Sequence, residues 1–467
     1  MANRISDLLR RSERAIPDSQ LQHAIDFATS RLRDHRSKIM PRMKGWEEMR
    51  EQARQLRLHT LAHLDEYLEA LERKVLQRGG QVFWARDAQE ASQYVIDLAR
   101  RRGVRNLVKT KSMVTEEIQL NKSLERNGIQ PVETDLGEYI VQLAGETPSH
   151  LIAPAFHKNK EQVAEIFSRH FGTPIPAEVK PIMAVARKEL RGKFLAAPMG
   201  ITGANFAVAE TGTLVLVTNE GNGRLTSFLP PILVSILGME KVVPRLADLE
   251  VLLNVLVPSA TGQRLTTYVS LLSPPRRLDE TRGPQEFHLI ILDNGRSSIL
   301  GGPFADILTC VRCGACLNVC PVYQKIGGHS YGSTYTGPMG AVLSPLLSEL
   351  KNHESLPHAS TLCGACAEVC PVKIPIPDLL IGLRQAQVRQ GKAPLAQSLI
   401  FSFWSWLWSR PWGYTFSARL AHVFRPLIGT GRKFPVVSGW ASGRDLPPPA
   451  PRTFRDRWRE RDGSSRG

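Results

Sequence analysis

Cys310-Val311-Arg312-Cys313-Gly314-Ala315-Cys316-Leu317-Asn318-Val319-Cys320-Pro321 is the stretch that decides how this chain is read. Its spacing is C-x2-C-x2-C-x3-C-P. A second run, Cys363-Gly364-Ala365-Cys366-Ala367-Glu368-Val369-Cys370-Pro371, repeats it without the first cysteine, and Ser360 stands in the missing place. Three cysteines separated by two-residue gaps wrap a tight loop around an iron–sulfur cube, so that each thiolate meets a different iron. Backbone N–H groups of such a loop point at the cluster sulfurs and offset their negative charge. Gly314 and Gly364 allow this approach because they carry no Cβ. The proline after each last cysteine fixes φ, offers no N–H and turns the chain off the site. A structural zinc takes four ligands in a tetrahedron, usually from two separated pairs; triplets closed by Cys-Pro suit a cube instead.

In paired motifs of this kind the fourth cysteine ligates the other cluster. Crossed ligation assigns Cys310, Cys313, Cys316 and Cys370 to cluster one, and Cys320, Cys363 and Cys366 to cluster two. The expected cofactors are two [4Fe-4S] clusters, the second one thiolate short. Several groups compete for that place: the oxygen of Ser360, His358, a water or substrate oxygen, or a ligand from a partner. A three-iron cluster is the remaining alternative. Fewer thiolates put less negative charge around the iron, so cluster two has the higher potential, other things equal. Two adjacent redox centres form a short wire; a purely structural role is the competing view.

The rest of the composition agrees with a reducing compartment. All seven cysteines lie between 310 and 370, an odd number in one tight group, whereas a secreted disulfide framework spreads even pairs over a small domain. Met1–Ile16 is polar and arginine-rich, with no apolar core or cleavage site of a leader, and no run of about 18 apolar residues is present. The expectation is a cytoplasmic protein, peripheral at most to the inner face of a membrane. The formal charge of +16 admits nucleic acid, an anionic lipid surface or an acidic partner. No nucleic-acid motif is present, so a basic binding protein with structural clusters is the weakest alternative.

Five segments are expected along the 467 residues. Residues 1–78 read as helical, with Leu61, Leu64, Leu68, Leu71 and Val75 on one face. Residues 79–300 alternate strands and helices, the pattern of an α/β domain with a mostly parallel sheet. Strands are expected at Gln81–Ala85, Asn106–Val108, Ile129–Glu133, Thr213–Thr218, Thr267–Leu271 and Phe287–Leu292, with helices at Ala88–Arg101 and Thr115–Asn127. Residues 301–390 form a ferredoxin-like, α-helical two-cluster domain. Residues 391–445 are an aromatic helical region, and 446–467 a disordered basic tail. Leu395–Trp408 carries Phe401, Phe403, Trp404, Trp406 and Trp408; it suits a core helix, a docking helix or an interfacial membrane helix.

The two cysteine motifs, the following Pro371-Val372-Lys373-Ile374-Pro375, and the upstream Lys109-Thr110-Lys111-Ser112-Met113 and Glu210-Thr211-Gly212-Thr213 together resemble the lactate utilization protein B family. The resemblance runs from about residue 60 to 430. It implies that the α/β region is a LUD domain. It also implies a non-catalytic electron-transfer subunit in the oxidation of L-lactate to pyruvate, working with a cysteine-rich protein and a second LUD-domain protein. An iron–sulfur subunit of another 2-hydroxyacid oxidase, for glycolate for example, is the nearest alternative.

Weaker constellations remain. Lys109, Lys111 and Ser112 follow a strand and precede a helix, which suits an anion site or a plain solvated turn. Glu210 places a carboxylate at a sheet edge, with Gly212 serving a turn. Gly221-Asn222-Gly223-Arg224 lacks the spacing of a nucleotide fingerprint and reads as a loop. His157 and His288 read as structural. No catalytic residue, flavin or nicotinamide fingerprint is identified.

Overall fold

The fold is taken from a computed structural model, which describes residues 2–348, 353–391, 395–423 and 450–464. They fall into two compact units, 1–386 and 387–467.

The first unit begins with helices over Ala2–Ala15, Ser19–Ile39, Trp46–Ala62 and Leu64–Gln77. The stripe read from Leu61 to Val75 is broken at His63, yet Leu64, Leu68, Leu71 and Val75 are all buried on one face. Among the described residues ten strands follow: β1 (Gln81–Ala85), β2 (Asn106–Lys109), β3 (Gln130–Glu133), β4 (Met199–Thr202), β5 (Phe206–Val208), β6 (Thr213–Thr218), β7 (Ile232–Gly238), β8 (Val242–Val243), β9 (Tyr268–Leu272) and β10 (Glu286–Leu292). Six make a wholly parallel sheet in the order β1-β10-β7-β4-β2-β3. Its central strand β7 is buried along its whole length, as expected where helices cover both faces.

A second sheet, β8-β5-β6-β9, was not foreseen. Its β5–β6 and β6–β9 pairs are antiparallel and only β5–β8 is parallel. The long helix expected over Thr115–Asn127 is two short ones, Met113–Glu117 and Leu120–Arg126, with Gln119 between them at φ +51°. The break lets Glu116 reach Lys109 at 3.2 Å while Asn121 reaches Glu133 at 2.7 Å.

The cysteine segment packs into the same unit. Its short helices, Ala315–Asn318 and Ala365–Glu368, each start directly after the glycine of a cysteine motif. In the second unit, helices cover Leu395–Trp408 and Pro411–Val423. Phe401, Phe403, Trp404, Trp406 and Trp408 are exposed, so the first of these is no core helix. A helix over Phe454–Ser464 replaces part of the disordered tail expected from residue 446. Thr453 caps it through Asp456 N–H at 3.2 Å, and Arg452 pairs with Glu460 at 2.9 Å. The proline run at 447–449 lies outside the described residues.

Candidate metal centres and the adjoining cavity

The two cysteine loops share one backbone. Arg312 and Leu362 each precede the second cysteine position of their motif and have φ of +60° and +56°; Gly314 and Gly364 follow at +75° and +86°. Non-glycine residues in this region cost about 1–3 kcal/mol and persist where surrounding structure enforces them. The Arg312 amide donates to Cys310 Sγ at 3.4 Å, and the Leu362 amide donates to Ser360 Oγ at 3.1 Å. Ser360 Oγ therefore occupies, in the second loop, the place that Cys310 Sγ occupies in the first.

The fold brings the cysteines together as four and three. Cys310, Cys313, Cys316 and Cys370 line one small cavity with Leu151, Met339 and Ile374. Cys316 lies in the field of Cys313, Cys310 and Cys370, while Cys366 lies in that of Cys320 and Cys363. Amides point at the sulfurs: Tyr323 N–H donates to Cys320 at 3.5 Å and Ile374 N–H to Cys370 at 3.4 Å. Burial pushes the Cys370 thiol up to about 11 and that of Cys366 up to about 12. Bound iron is what makes thiolates of such groups at neutral pH, so loading releases protons. Cys363 is exposed, and a hydrogen bond with Thr361 lowers its thiol. Clustered thiols met by backbone amides fit iron–sulfur ligation.

A shell of cations surrounds the group of four. Arg50 donates to Cys370 O at 2.8 and 3.0 Å and to Glu368 O at 2.9 Å. Arg54 reaches Lys373 O at 2.7 Å, and Arg36 reaches Val369 O at 3.4 Å. Arg57 is 1% exposed and donates to the carbonyls of Val242 (2.9 Å), Leu308 (3.3 Å), Thr309 (3.4 Å) and Glu240. Burial lowers it to about 10, while Glu240 and Cys310 work in the opposite direction. Burial, with Arg312 beside it, lowers Lys241 to about 7 against the raising effect of Glu240 and Cys310, while Cys310 supports the charge of Arg312. Lys241 Nζ donates to Cys310 O at 3.1 Å. Arg312 pairs with Glu240 at 3.2 Å and lies over the Tyr335 ring at 4.9 Å. Against the raising effect of burial, Arg296 and Arg312 hold Glu240 down to about 2. The sequence reading missed this shell, because Arg36, Arg50, Arg54 and Arg57 lie more than 250 residues from the segments they clasp.

A larger cavity, of about 370 Å³, opens at the carboxyl ends of the parallel strands. Thr110–Ser112 after β2, Gly203–Asn205 after β4, and Gly238, Glu240 and Lys241 at the end of β7 line it. Its far wall is Val311, Arg312 and Cys313. The chain leaves β2 toward β3 on one side and leaves β4 toward β7 on the other. The cavity thus sits at a topological switch point, where open α/β sheets bind ligands.

Other expected residues fall in different places. Lys111 and Ser112 line this cavity, but Lys109 does not. Lys109 is fully buried and pairs with Glu133 at 2.8 Å and Glu116 at 3.2 Å, which removes it from any anion site. Glu210 is exposed and accepts from Leu246 N–H at 2.9 Å, outside the cavity. Asn222 and Gly223 reach the cavity wall, whereas Arg224 lies over Tyr268 at 5.1 Å. His157 bridges Ser149 and Glu146, each at 2.8 Å, and burial lowers it to about 4. His288 bridges Tyr94 and Glu286, each at 2.7 Å.

Comparison with known proteins gives this geometry a family. Residues 68–292 match the LUD domain, 306–374 the 4Fe-4S dicluster domain, and 384–463 the C-terminal region of lactate utilisation protein B. The chain is 45% identical to lactate utilization protein B of Bacillus subtilis over 98% of its own length and 96% of the relative's. Identity to that of Geobacillus kaustophilus is 48%, over 90% and 89%. For that of Bacillus velezensis it is 45%, over 97% and 96%. A solved DUF162 family protein from Deinococcus radiodurans aligns with a TM-score of 0.27 at 14% identity, over 49% of this chain and 98% of that one. With its LUD domain and its two-cluster [4Fe-4S] segment, the chain belongs to the lactate utilization protein B family and is an iron–sulfur protein of that family.

Proposed function

We propose that this chain is the electron-transfer subunit of an L-lactate-oxidising complex, with a cysteine-rich protein and a second LUD-domain protein as its partners. A [4Fe-4S] cluster supplies one-electron uptake and release. Cys310, Cys313, Cys316 and Cys370 hold cluster one, and Cys320, Cys363 and Cys366 hold cluster two. Ser360 is the best-supported fourth ligand of cluster two, because its Oγ accepts the amide that the matching sulfur accepts in the first loop.

The observation that carries this reading is the gathering of the cysteines as four and three, each group drawing on both motifs. Groups built that way hold their two clusters side by side, as a wire requires. Arg50, Arg57 and Arg312 fix the loops and offset negative charge. Cys363 is the exposed member and marks the side where a partner's electrons enter or leave.

The test is EPR on protein purified anaerobically with its two partners, before and after L-lactate. Reduction of the clusters by L-lactate and not by glycolate is expected. Clusters reduced only by glycolate would favour the other 2-hydroxyacid reading, and clusters that no donor reduces would defeat both.

A second feature supports contact with an anionic lipid surface. No described helix is long and apolar enough to cross a membrane. The helix over Leu395–Trp408, however, exposes four bulky aromatic residues among its last six, and Arg410 follows it. Such a face suits the headgroup boundary. Flotation with anionic liposomes tests it; protein left at the bottom of the gradient rejects it.

A further inference from the structure

We propose that the cavity beside Cys313 binds a conjugated, carbonyl-bearing redox ring of the flavin or quinone type, which exchanges electrons with cluster one. The inference rests on the electron-transfer reading above. Three observations on the cavity carry it.

The first is position. The cavity lies at the switch point of the parallel sheet, and its far wall is the cysteine loop itself. An occupant there stands against a ligand residue of cluster one. The second is size and lining. About 370 Å³ lies within the range of cofactor sites, and a three-carbon acid would leave most of it empty. Leu216, Val217, Leu256 and Val257 offer apolar walls to the faces of a ring. The third is the pair of lysine amino groups in its lining, Lys111 and Lys241. Lys111 Nζ donates to Ile152 O at 2.6 Å and Lys241 Nζ to Cys310 O at 3.1 Å. Each Nζ has N–H bonds beyond that one, which the carbonyl oxygens of a ring in the cavity could accept.

Chemistry selects the class. A 2-hydroxy acid yields two electrons when its carbinol C–H and O–H bonds break, whereas a cubane exchanges one at a time. A conjugated dicarbonyl ring reconciles the two. Its reduction would consume two protons from water and two electrons, which a one-electron cluster held by Cys310, Cys313, Cys316 and Cys370 would supply one at a time. Its oxidation returns them.

The experiment uses full-length protein with clusters reconstituted anaerobically. It is titrated with FMN, with FAD and with the naphthoquinone menadione, and binding is followed by calorimetry. Acid-released material from freshly purified protein is checked for flavin, which separates a resident flavin from a diffusible quinone. One ring is expected to bind at one per chain. Filling the cavity with Ala260→Trp should weaken that binding at least about tenfold, with cluster spectra unchanged. Ala204→Trp fills it from another loop and guards against a misfolded variant. Failure of all three rings, or equal binding by both filled variants, would overturn the proposal. So would stoichiometric L-lactate binding in the cavity with no ring present. Clusters that remain reducible while every ring fails would leave the electron-transfer reading standing.

Discussion

The loop at Cys310–Gly314 and the loop at Ser360–Gly364 have the same backbone and opposite surroundings. Both place a non-glycine residue and then a glycine at positive φ, and both turn an amide back onto the side chain that opens the motif. The first loop is packed against Arg57 and Lys241 and carries Arg312 itself. The second ends on an exposed cysteine. Ligand count alone assigns the higher potential to cluster two. The cations weigh on the other side, because positive charge near a cluster favours its reduced form. The comparison predicts two potentials set by two separate means, ligand identity in one loop and buried cations in the other.

The largest expected effect separates the groups outright. Cys370→Ala should remove the iron of cluster one and leave the EPR signal of cluster two; a variant that keeps its full iron content breaks the division. Next comes the cation shell. Arg57→Met leaves four carbonyls without their donor and should cost about 3 kcal/mol or more, read as a lower denaturation midpoint. In the folded variant the potential of cluster one should fall while that of cluster two holds. Equal shifts in both would show that the shell does not distinguish them.

The smallest effect lies away from both loops. His157 is held near 4 in the fold against an ordinary value of 6.5. Between those values the unfolded chain binds a proton that the folded chain does not, so this contribution is full above 6.5 and is lost as pH falls toward 4. His157→Gln should flatten that part of the stability curve, and an unchanged slope would show that His157 plays no part in it.

The cysteine spacing and the parallel sheet were legible because each rests on a local pattern. β6 was read from its own residues, Thr213–Thr218. β4 and β7 were missed because central parallel strands are buried on both faces and show no alternation. The cation shell and the cavity could not be read at all. Arg50 meets Cys370, and Lys111 shares a cavity with Cys313, only once the chain has folded. Lys109 misled for a related reason: its position before a helix suggested an anion site, and Glu133, brought over by the neighbouring strand, claims it instead.

The most direct test of unequal clusters with Ser360 at the vacant place is a potentiometric EPR titration of the native protein beside Ser360→Cys. The account predicts that one potential falls, as a thiolate replaces an oxygen, while the other is unchanged. Two unchanged potentials would contradict it.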